Sequence, residues 1–453
     1  MRVVFLLFFS SYGLWTLFRS LGMAYVLDLF VTLPISAVIV IFFIWEPFRD
    51  EKKRTRWSPI DPRSSKTLIL VVLLALNFFL LSTAFIRVLL LSMQYLWILS
   101  ISLFLYAVFR WYYERGELNL FLQDLTLSLL LLIGVNIVCY IIGFESPSEI
   151  ENYHRAFDTL FNLLENRFYF PLATSTRILS ILSGTAFLMA LFIPFRWKSR
   201  IAVLLVRIVG AIACMFVLVA AGARIPFLAL LAAVLLGLLW DRIGRFGIYA
   251  GTAGAVLLPA FVIGFSSLHD RLQAAGELPA FVERVFTMLT ISNRDIIWSG
   301  AFSGAFRNFP SAVFGNGVFG HITSGASGIY GYLFEVSWVN PLLMGSHNSY
   351  IQILLDGGLL ALIGFLALVG AVLWKLPGIA SDLTGSSAEP LEVIKMERNL
   401  SIPLVYLLMT ASTEVSISYL APEILYLLVA VLLLIILGPG KRTLMQKEEE
   451  SSI

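Results

Sequence analysis

The sequence contains little charge. Only 13% of its 453 residues are Asp, Glu, Lys or Arg, whereas 59% are hydrophobic. A soluble domain carries roughly 25% charged residues and less than half apolar ones, so this composition excludes an ordinary soluble domain. The formal net charge of +3 requires no nucleic-acid partner, because membrane orientation already explains the basic clusters.

Cysteine and the common cofactor motifs are also scarce. The two cysteines, Cys139 and Cys214, both fall inside apolar runs, which predicts no disulfide framework and no Cys/His spacing suited to zinc. A GxxxxGK[ST] loop, an H-E-x-x-H motif and an outer-loop D-x-D pair are missing as well. We therefore expect no metal and no cofactor, and nothing favours a nucleotide-driven mechanism.

Long apolar runs take the place of charge. A membrane-spanning helix needs about 20 apolar residues, and unbroken Leu/Ile/Val/Phe runs favour helices over barrel strands, which would alternate. The sequence predicts an all-α polytopic membrane protein with about twelve transmembrane helices. The predicted spans are 3–19, 22–45, 67–85, 88–110, 122–143, 173–195, 201–221, 225–240, 246–266, 348–373, 400–419 and 422–438.

Polar segments divide these spans. We predict about nine helices in 1–266, a large helical extracytoplasmic loop at 267–347, three helices in 348–438 and a tail at 439–453. About two thirds of the 32 Lys and Arg fall on one set of loops, and basic loops face the cytoplasm. Both termini are therefore predicted to be cytoplasmic, with the large loop on the opposite side.

His347 and Asn348 stand where the large loop meets the next apolar helix. Ser346 is the expected N-cap, and a helix N-terminus disfavours added positive charge. The imidazole should therefore be neutral at pH 7, as a general base requires. The alternative is an interfacial histidine bonded to a neighbouring carbonyl.

Two arginines are further candidates. Arg224 lies between two predicted helices, where it either serves the site or extends to the membrane interface. Arg294 either pairs with Asp295 or offers its planar guanidinium to a phosphate. Ser292 and Asp295 resemble a capping box, which predicts a helix with Arg294 and Trp298 on one stripe, closed by Pro310.

Two acidic residues fall within predicted spans. Asp356 lies about 13 Å along the helix from His347, so it would orient a neighbouring helix or an acceptor, or pair with an arginine. Glu414, near the end of a span, is either functional or a structural partner for one of the arginines.

Four segments, AGAR (Arg224), RDIIWSGAF (Arg294, Trp298), FGNGVFG and SHNSYIQILLDGG (His347 to Gly358), occur in this order. Over about 220–375 the chain resembles the O-antigen ligase and O-antigen polymerase superfamily of bacterial membrane glycosyltransferases. Twelve helices, cytoplasmic termini and one dominant outer loop are similar to that family too.

The resemblance implies transfer of a glycan from undecaprenyl pyrophosphate to an acceptor hydroxyl, without metal or nucleotide sugar, at the periplasmic face of the inner membrane. It implies His347 as base, Arg224 and Arg294 as stabilisers of the leaving pyrophosphate, and Asn348, Trp298, Asp356 and Glu414 as substrate-binding candidates. The acceptor, either lipid A–core or another lipid-linked glycan, stays open.

Two other classes of protein stay open. A transporter of polysaccharide or lipid-linked sugar would predict an internal repeat and helices broken near the bilayer midplane, and the sequence indicates neither. A structural scaffold would give no reason to gather His347, Arg224 and Arg294 on one face of the membrane.

Overall fold

The part of the chain described by the computed structural model is helical. It comprises residues 109, 112, 117–143, 170, 176–195, 197, 199–276, 293–317, 319–334, 345–384 and 389–415, and no strand occurs among them. The predicted spans 3–19, 22–45, 67–85 and 422–438, nearly all of 88–110, and the tail at 439–453 lie outside the described residues.

The described residues form eleven α-helices and one 3₁₀ turn. They are α1 (Leu118–Ile141), α2 (Thr176–Phe192), α3 (Arg200–Ala220), α4 (Arg224–Leu238), α5 (Trp240–Ala274), α6 (Arg294–Ala305), α7 (Phe309–Phe314), α8 (Gly320–Thr323), α9 (Ala326–Tyr330), the 3₁₀ turn Gly331–Phe334, α10 (Ser349–Thr384) and α11 (Pro390–Ala411).

Four stretches are long and apolar enough to cross a membrane, judged by length and composition. They are Asn119–Ile141, Arg200–Ala220, Trp240–Ala274 and Ser349–Ser381, and two shorter apolar helices, Arg177–Phe192 and Ile225–Leu238, accompany them. The prediction of a helical membrane protein is confirmed at this level, and the count of twelve stays a prediction. α3 is typical in presenting large apolar side chains outward, among them Ile201 (72% exposed) and Ile212 (65% exposed), as lipid contact requires.

Several helix bounds differ from the predicted spans. α5 and α10 extend well beyond the predicted 246–266 and 348–373, because a helix does not have to stop where its apolar window stops. α11 begins at Pro390, a residue suited to the first turn because it lacks an N–H, and ends before Ser412. The described part of the predicted span 400–419 is helical as far as Ala411.

A large apolar core joins α1–α4 to the second half of α10 and to α11. At one point α2 and α11 approach so closely that a side chain on Gly184 would overlap the buried phenol of Tyr406. Hydroxyls within the bundle, such as those of Thr126 and Thr185, donate to carbonyls one helical turn earlier, which satisfies them where water is scarce.

A second, smaller core holds the segment 293–334 against the bundle. Trp298 of α6 and Tyr330 of α9 pack with Val262 of α5 and with Ile351 and Leu354 of α10. These side chains are nearly all inaccessible to solvent. The segment 293–334 is therefore packed, and it meets α10 just beyond His347.

The helix predicted around Arg294 forms with different ends. Asn293, in the left-handed conformation (φ 52°), precedes α6 and gives no side-chain cap, and the Asp295 carboxylate accepts from the Ser266 hydroxyl at 3.1 Å. Ser292 lies outside the described residues. Pro310 does not close α6, which ends at Ala305, but lies in the first turn of α7.

Candidate functional site

The Glu414 carboxylate gathers the charged residues at one end of the bundle. It lies in the turn after α11, with its side chain 12% exposed. Its Oε1 accepts from Arg294 at 3.2 Å and its Oε2 from Arg177 at 3.4 Å. The same Oε2 lies 3.6 Å from Nδ1 of His347. Three residues proposed from sequence, Arg294, His347 and Glu414, thus meet at one point.

Arg294 reaches this point from the first position of α6. One nitrogen donates to the backbone carbonyl of Thr413 at 2.5 Å and another to Glu414. The guanidinium also lies 5.9 Å from the ring centroid of Trp298, within cation–π range. Of the two alternatives left open by the sequence, pairing with Asp295 is absent from the described contacts of Arg294.

Arg177, in the first turn of α2, completes the cluster and was missed by sequence reasoning. Its side chain is 33% exposed, against 11% for Arg294 and 12% for Glu414, so it is the most accessible of the charged groups. The signal was present: like Arg224, it stands at the end of an apolar run on the side expected to be poor in arginine.

His347 has an unusual backbone conformation. Its φ is 50°, in the left-handed region that costs a non-glycine residue energy and is found disproportionately at functional sites. Ser346 was predicted to cap the following helix, but Asn348 does so, since its Oδ1 accepts from the backbone N–H of Ile351 at 2.9 Å. The Ser346 hydroxyl instead donates to the Asn348 carbonyl at 2.8 Å.

The contact between Arg177 and His347 fixes where the imidazole carries its proton. An Arg177 nitrogen lies 2.9 Å from Nδ1 of His347. A guanidinium is only a donor, so Nδ1 must be the acceptor, and a neutral ring then carries its hydrogen on Nε2.

Electrostatics keep the imidazole neutral and the carboxylate charged. Burial, together with the two nearby guanidiniums, lowers the pKa of His347 against the opposing effect of Glu414. Burial would raise the pKa of Glu414. The charge of Arg177, followed in size of effect by His347 and Arg294, outweighs burial and lowers that pKa to about 2. Burial lowers the pKa of Arg294, yet arginine stays protonated. Two cations therefore face one anion, leaving a net positive site.

Helix ends strengthen this positive character. α2, α6 and α10 begin beside the cluster, and the partial positive charge at each N-terminus favours anions. α11 ends there, and its last carbonyls favour the Arg294 cation. The arrangement suits an anionic group with several oxygens.

Asn348 is engaged in supporting the site. Its side chain is fully buried, and while Oδ1 caps α10, its amide nitrogen donates to the carbonyl of Ser412. The Ser349 hydroxyl donates to the Glu414 carbonyl at 2.7 Å. The start of α10 thus holds the turn that carries Glu414.

Trp298 is 1% exposed, and its indole N–H donates to the Ser346 carbonyl at 3.0 Å. In this conformation the ring is covered by protein. It supports the segment leading into His347 and the guanidinium of Arg294, rather than offering a face to a sugar.

Asp356 lies apart from the cluster formed by Arg177, Arg294, His347 and Glu414. It anchors the Gly-rich segment FGNGVFG, residues 314–320. Its Oδ1 accepts from the Gly320 backbone N–H and from the Gln352 side chain, both at 2.8 Å. The backbone N–H groups of Asn316 and Gly317 donate to the carbonyls of Leu355 and Asp356 at 2.8 and 3.0 Å. FGNGVFG and LLDGG are therefore docked on each other through their backbones.

This docking coincides with a break in α10. Gly358 has φ 68° and ψ −169°, and Gly315 has φ 80° and ψ −171°, a region open essentially to glycine alone. A side chain on Gly358 would overlap the carbonyl of Val313, and one on Gly315 would overlap that of Asp356. The structure therefore has a loop bound into a broken helix.

Arg224 begins α4, and its side chain lies outside the described residues. α2 runs away from Arg177, α3 returns after a short connection, and α4 starts after the turn 221–223. Short connections join antiparallel neighbours, so the backbone of Arg224 lies at the same end of the bundle as the cluster. No three His, Cys, Asp or Glu side chains in the described part come together in a way that could hold a metal ion.

Comparisons with protein-family models, with curated proteins and with solved structures give no match to this chain.

Proposed function

We propose that the protein is a membrane glycosyltransferase of the O-antigen ligase or polymerase type. It transfers a glycan from undecaprenyl pyrophosphate to an acceptor hydroxyl at the outer face of a bacterial inner membrane, without a metal. The observation that carries the proposal is the convergence of Arg177, Arg294 and His347 on Glu414 at the ends of apolar helices.

The positive charge of the site suits the departing group. As the bond between the sugar and the pyrophosphate oxygen breaks, negative charge develops on that oxygen, and fixed cations stabilise it most when water is scarce. Arg294 is held by Thr413, Glu414 and the Trp298 ring, so its position is set before the donor binds. Arg177 is more accessible and is the first cation an incoming pyrophosphate meets.

His347 is the proposed base. A lowered pKa keeps it neutral at pH 7, so it can take the proton of the acceptor hydroxyl as that oxygen attacks the anomeric carbon. Attack opposite the leaving pyrophosphate inverts that carbon. The imidazolium formed lies next to the Glu414 carboxylate, which stabilises it.

Transfer in a purified system tests the proposal. The protein in detergent is incubated with an undecaprenyl-pyrophosphate-linked oligosaccharide and either lipid A–core or a second lipid-linked oligosaccharide, with EDTA present. We expect transfer by the wild type, at least 100-fold slower transfer by His347→Ala and Arg294→Ala, and unchanged transfer by Arg398→Ala.

Arg398 is the matched control because it lies on α11 and contacts Asn399 and the Phe192 ring. Full activity in His347→Ala would remove the catalytic role of that residue. Failure of the wild type with both acceptors would remove the proposal itself, and the acceptor that is used separates ligase from polymerase.

A transporter of lipid-linked sugar is the second candidate, and the break of α10 at Gly358 favours it. Helices broken within the membrane occur in transporters. Flux of the lipid-linked oligosaccharide across a proteoliposome membrane, without any acceptor and without loss of the pyrophosphate, would favour transport over transfer.

A further inference from the structure

Three atoms form a tight triangle at the centre of the cluster. The Arg177 nitrogen lies 2.9 Å from Nδ1 of His347 and 3.4 Å from Oε2 of Glu414, and Oε2 lies 3.6 Å from Nδ1. The first distance is a hydrogen bond and the last is too long to be one. Arg177 therefore hydrogen-bonds to Nδ1, the imidazole nitrogen that also lies near the Glu414 carboxylate.

This arrangement holds His347 in the wrong tautomer for a base that uses Nε2. With Nδ1 accepting from Arg177, the proton of a neutral ring is on Nε2, and that nitrogen has no lone pair in the plane of the ring to receive a proton. If Nδ1 carried the proton and donated to Glu414, Nε2 would be basic and the carboxylate would orient the ring, as in other histidine bases.

We propose that Arg177 is a substrate-operated switch: a pyrophosphate draws its guanidinium away from His347, whereupon Nδ1–H pairs with Glu414 and Nε2 becomes the base. This inference rests on the proposed function. The change of tautomer is balanced, since one proton leaves Nε2 and one arrives at Nδ1, exchanged through water. The base then forms only when the donor is present.

The contacts of the two arginines agree with this proposal, because Arg294 is held more firmly than Arg177. Arg294 is held by a backbone carbonyl, by Glu414 and by the Trp298 ring, and it stays in place when an anion arrives. Arg177 is three times as exposed as Arg294, at 33% against 11%. A pyrophosphate binds a guanidinium more strongly than a neutral imidazole does, because it is itself charged and its several oxygens can accept two hydrogen bonds from the guanidinium at once.

The tautomer can be read directly by NMR. The protein is labelled with ¹⁵N-histidine and studied in detergent at pH 8, where the lowered pKa of His347 keeps its ring neutral, and the signals missing in His347→Gln identify His347. We expect Nε2–H without ligand. Adding inorganic pyrophosphate should remove the Nε2–H signal and produce Nδ1–H, while the ³¹P line of pyrophosphate reports binding independently.

Arg177→Met tests the switch without any ligand. Methionine keeps the apolar stem and removes the donor, so His347 should be Nδ1–H from the start. Arg177→Ala is the second variant if Met packs badly, and Arg398→Met is the control that should leave Nε2–H in place.

The outcomes separate the two proposals. Pyrophosphate binding with an unchanged tautomer, or Nε2–H persisting in both Arg177 variants, overturns the switch and leaves the glycosyltransferase proposal intact. No pyrophosphate binding by the wild type overturns the switch and also counts against a pyrophosphate-linked donor.

Discussion

At the residue scale, Glu414 is the residue on which most contacts of the site depend. One carboxylate partners two arginines and lies beside a histidine, and its side chain is only 12% exposed. Removing one partner of a buried pair costs about 3–5 kcal/mol, because the charges left behind are neither solvated nor compensated. Glu414 is thus a structural requirement of the site, whatever part it also plays in chemistry.

Glu414→Gln should remove an acid-sensitive part of the stability. The pKa of this carboxyl is lowered from its ordinary 4.5 to about 2 in the folded protein. Its stabilisation is therefore full above about pH 4.5 and is lost as pH falls towards 2. We expect the wild type to lose about 3 kcal/mol more than Glu414→Gln over that window, measured as Tm in detergent between pH 6 and pH 2.5.

Glu389→Gln is the control, because Glu389 is exposed at the start of α11 and its loss should leave the acid sensitivity of the wild type. Equal acid sensitivity in Glu414→Gln and the wild type would contradict the ion-pair geometry.

At the element scale, the broken α10 and the Gly-rich segment form one unit. The two glycine conformations and the backbone hydrogen bonds depend on each other, since the carbonyls exposed by the break are taken up by Asn316 and Gly317. A helix break normally leaves such carbonyls without partners. Here the hydrogen-bond donors come from Asn316 and Gly317, in the segment before α8.

Gly358→Ala should detach that segment. Alanine is strained at φ 68° and its Cβ would overlap the Val313 carbonyl, so we expect a loss of at least 2 kcal/mol from strain and displaced backbone contacts. Tm and the rate of limited proteolysis within 313–320 measure it.

Gly364→Ala is the matched control on the same helix, because a side chain there meets nothing within 4 Å and alanine favours the helix. If both substitutions are tolerated equally, the docking of the two segments is wrong.

How much of the site was predictable differs from residue to residue. Arg294, His347 and Glu414 were found because ionisable groups at the ends of apolar runs are rare. The contact between them was not predicted, because nothing in the sequence around Glu414 specifies a partner 120 residues earlier in the chain. Asn348 was expected to bind substrate and instead has both amide groups bonded to backbone, which depends on where α11 ends. The break at Gly358 was not predicted, because the sequence of an apolar run is the same whether its helix is continuous or broken.

At the scale of the whole molecule, the distribution of Lys and Arg predicts which end of the bundle faces out. The first residues of α5, which include the kink at Gly244, and its last residues near Ala274 lie at opposite ends of a long helix. With basic loops cytoplasmic, we expect the end of α5, together with the cluster, to face away from the cytoplasm.

Single cysteines test this orientation in a background of Cys139→Ser and Cys214→Ala. Asp270→Cys, at a side chain that is 72% exposed, should react with a membrane-impermeant maleimide in intact cells or spheroplasts. Arg242→Cys, exposed at the other end of α5, should react only after permeabilisation. The reverse pattern would invert the topology and move the site to the cytoplasmic side.

The partnership of Glu414 with earlier residues also sets an order of events during synthesis. Arg177 and Arg294 are made 237 and 120 residues before the carboxylate that pairs them. At roughly 5–20 residues per second, the nascent chain holds Arg294 without its counter-ion for about 6–24 s. During that interval the two guanidiniums have no Glu414 to pair with. The ribosome therefore adds the last component of the site after all the others, and no shorter nascent chain can hold the complete cluster.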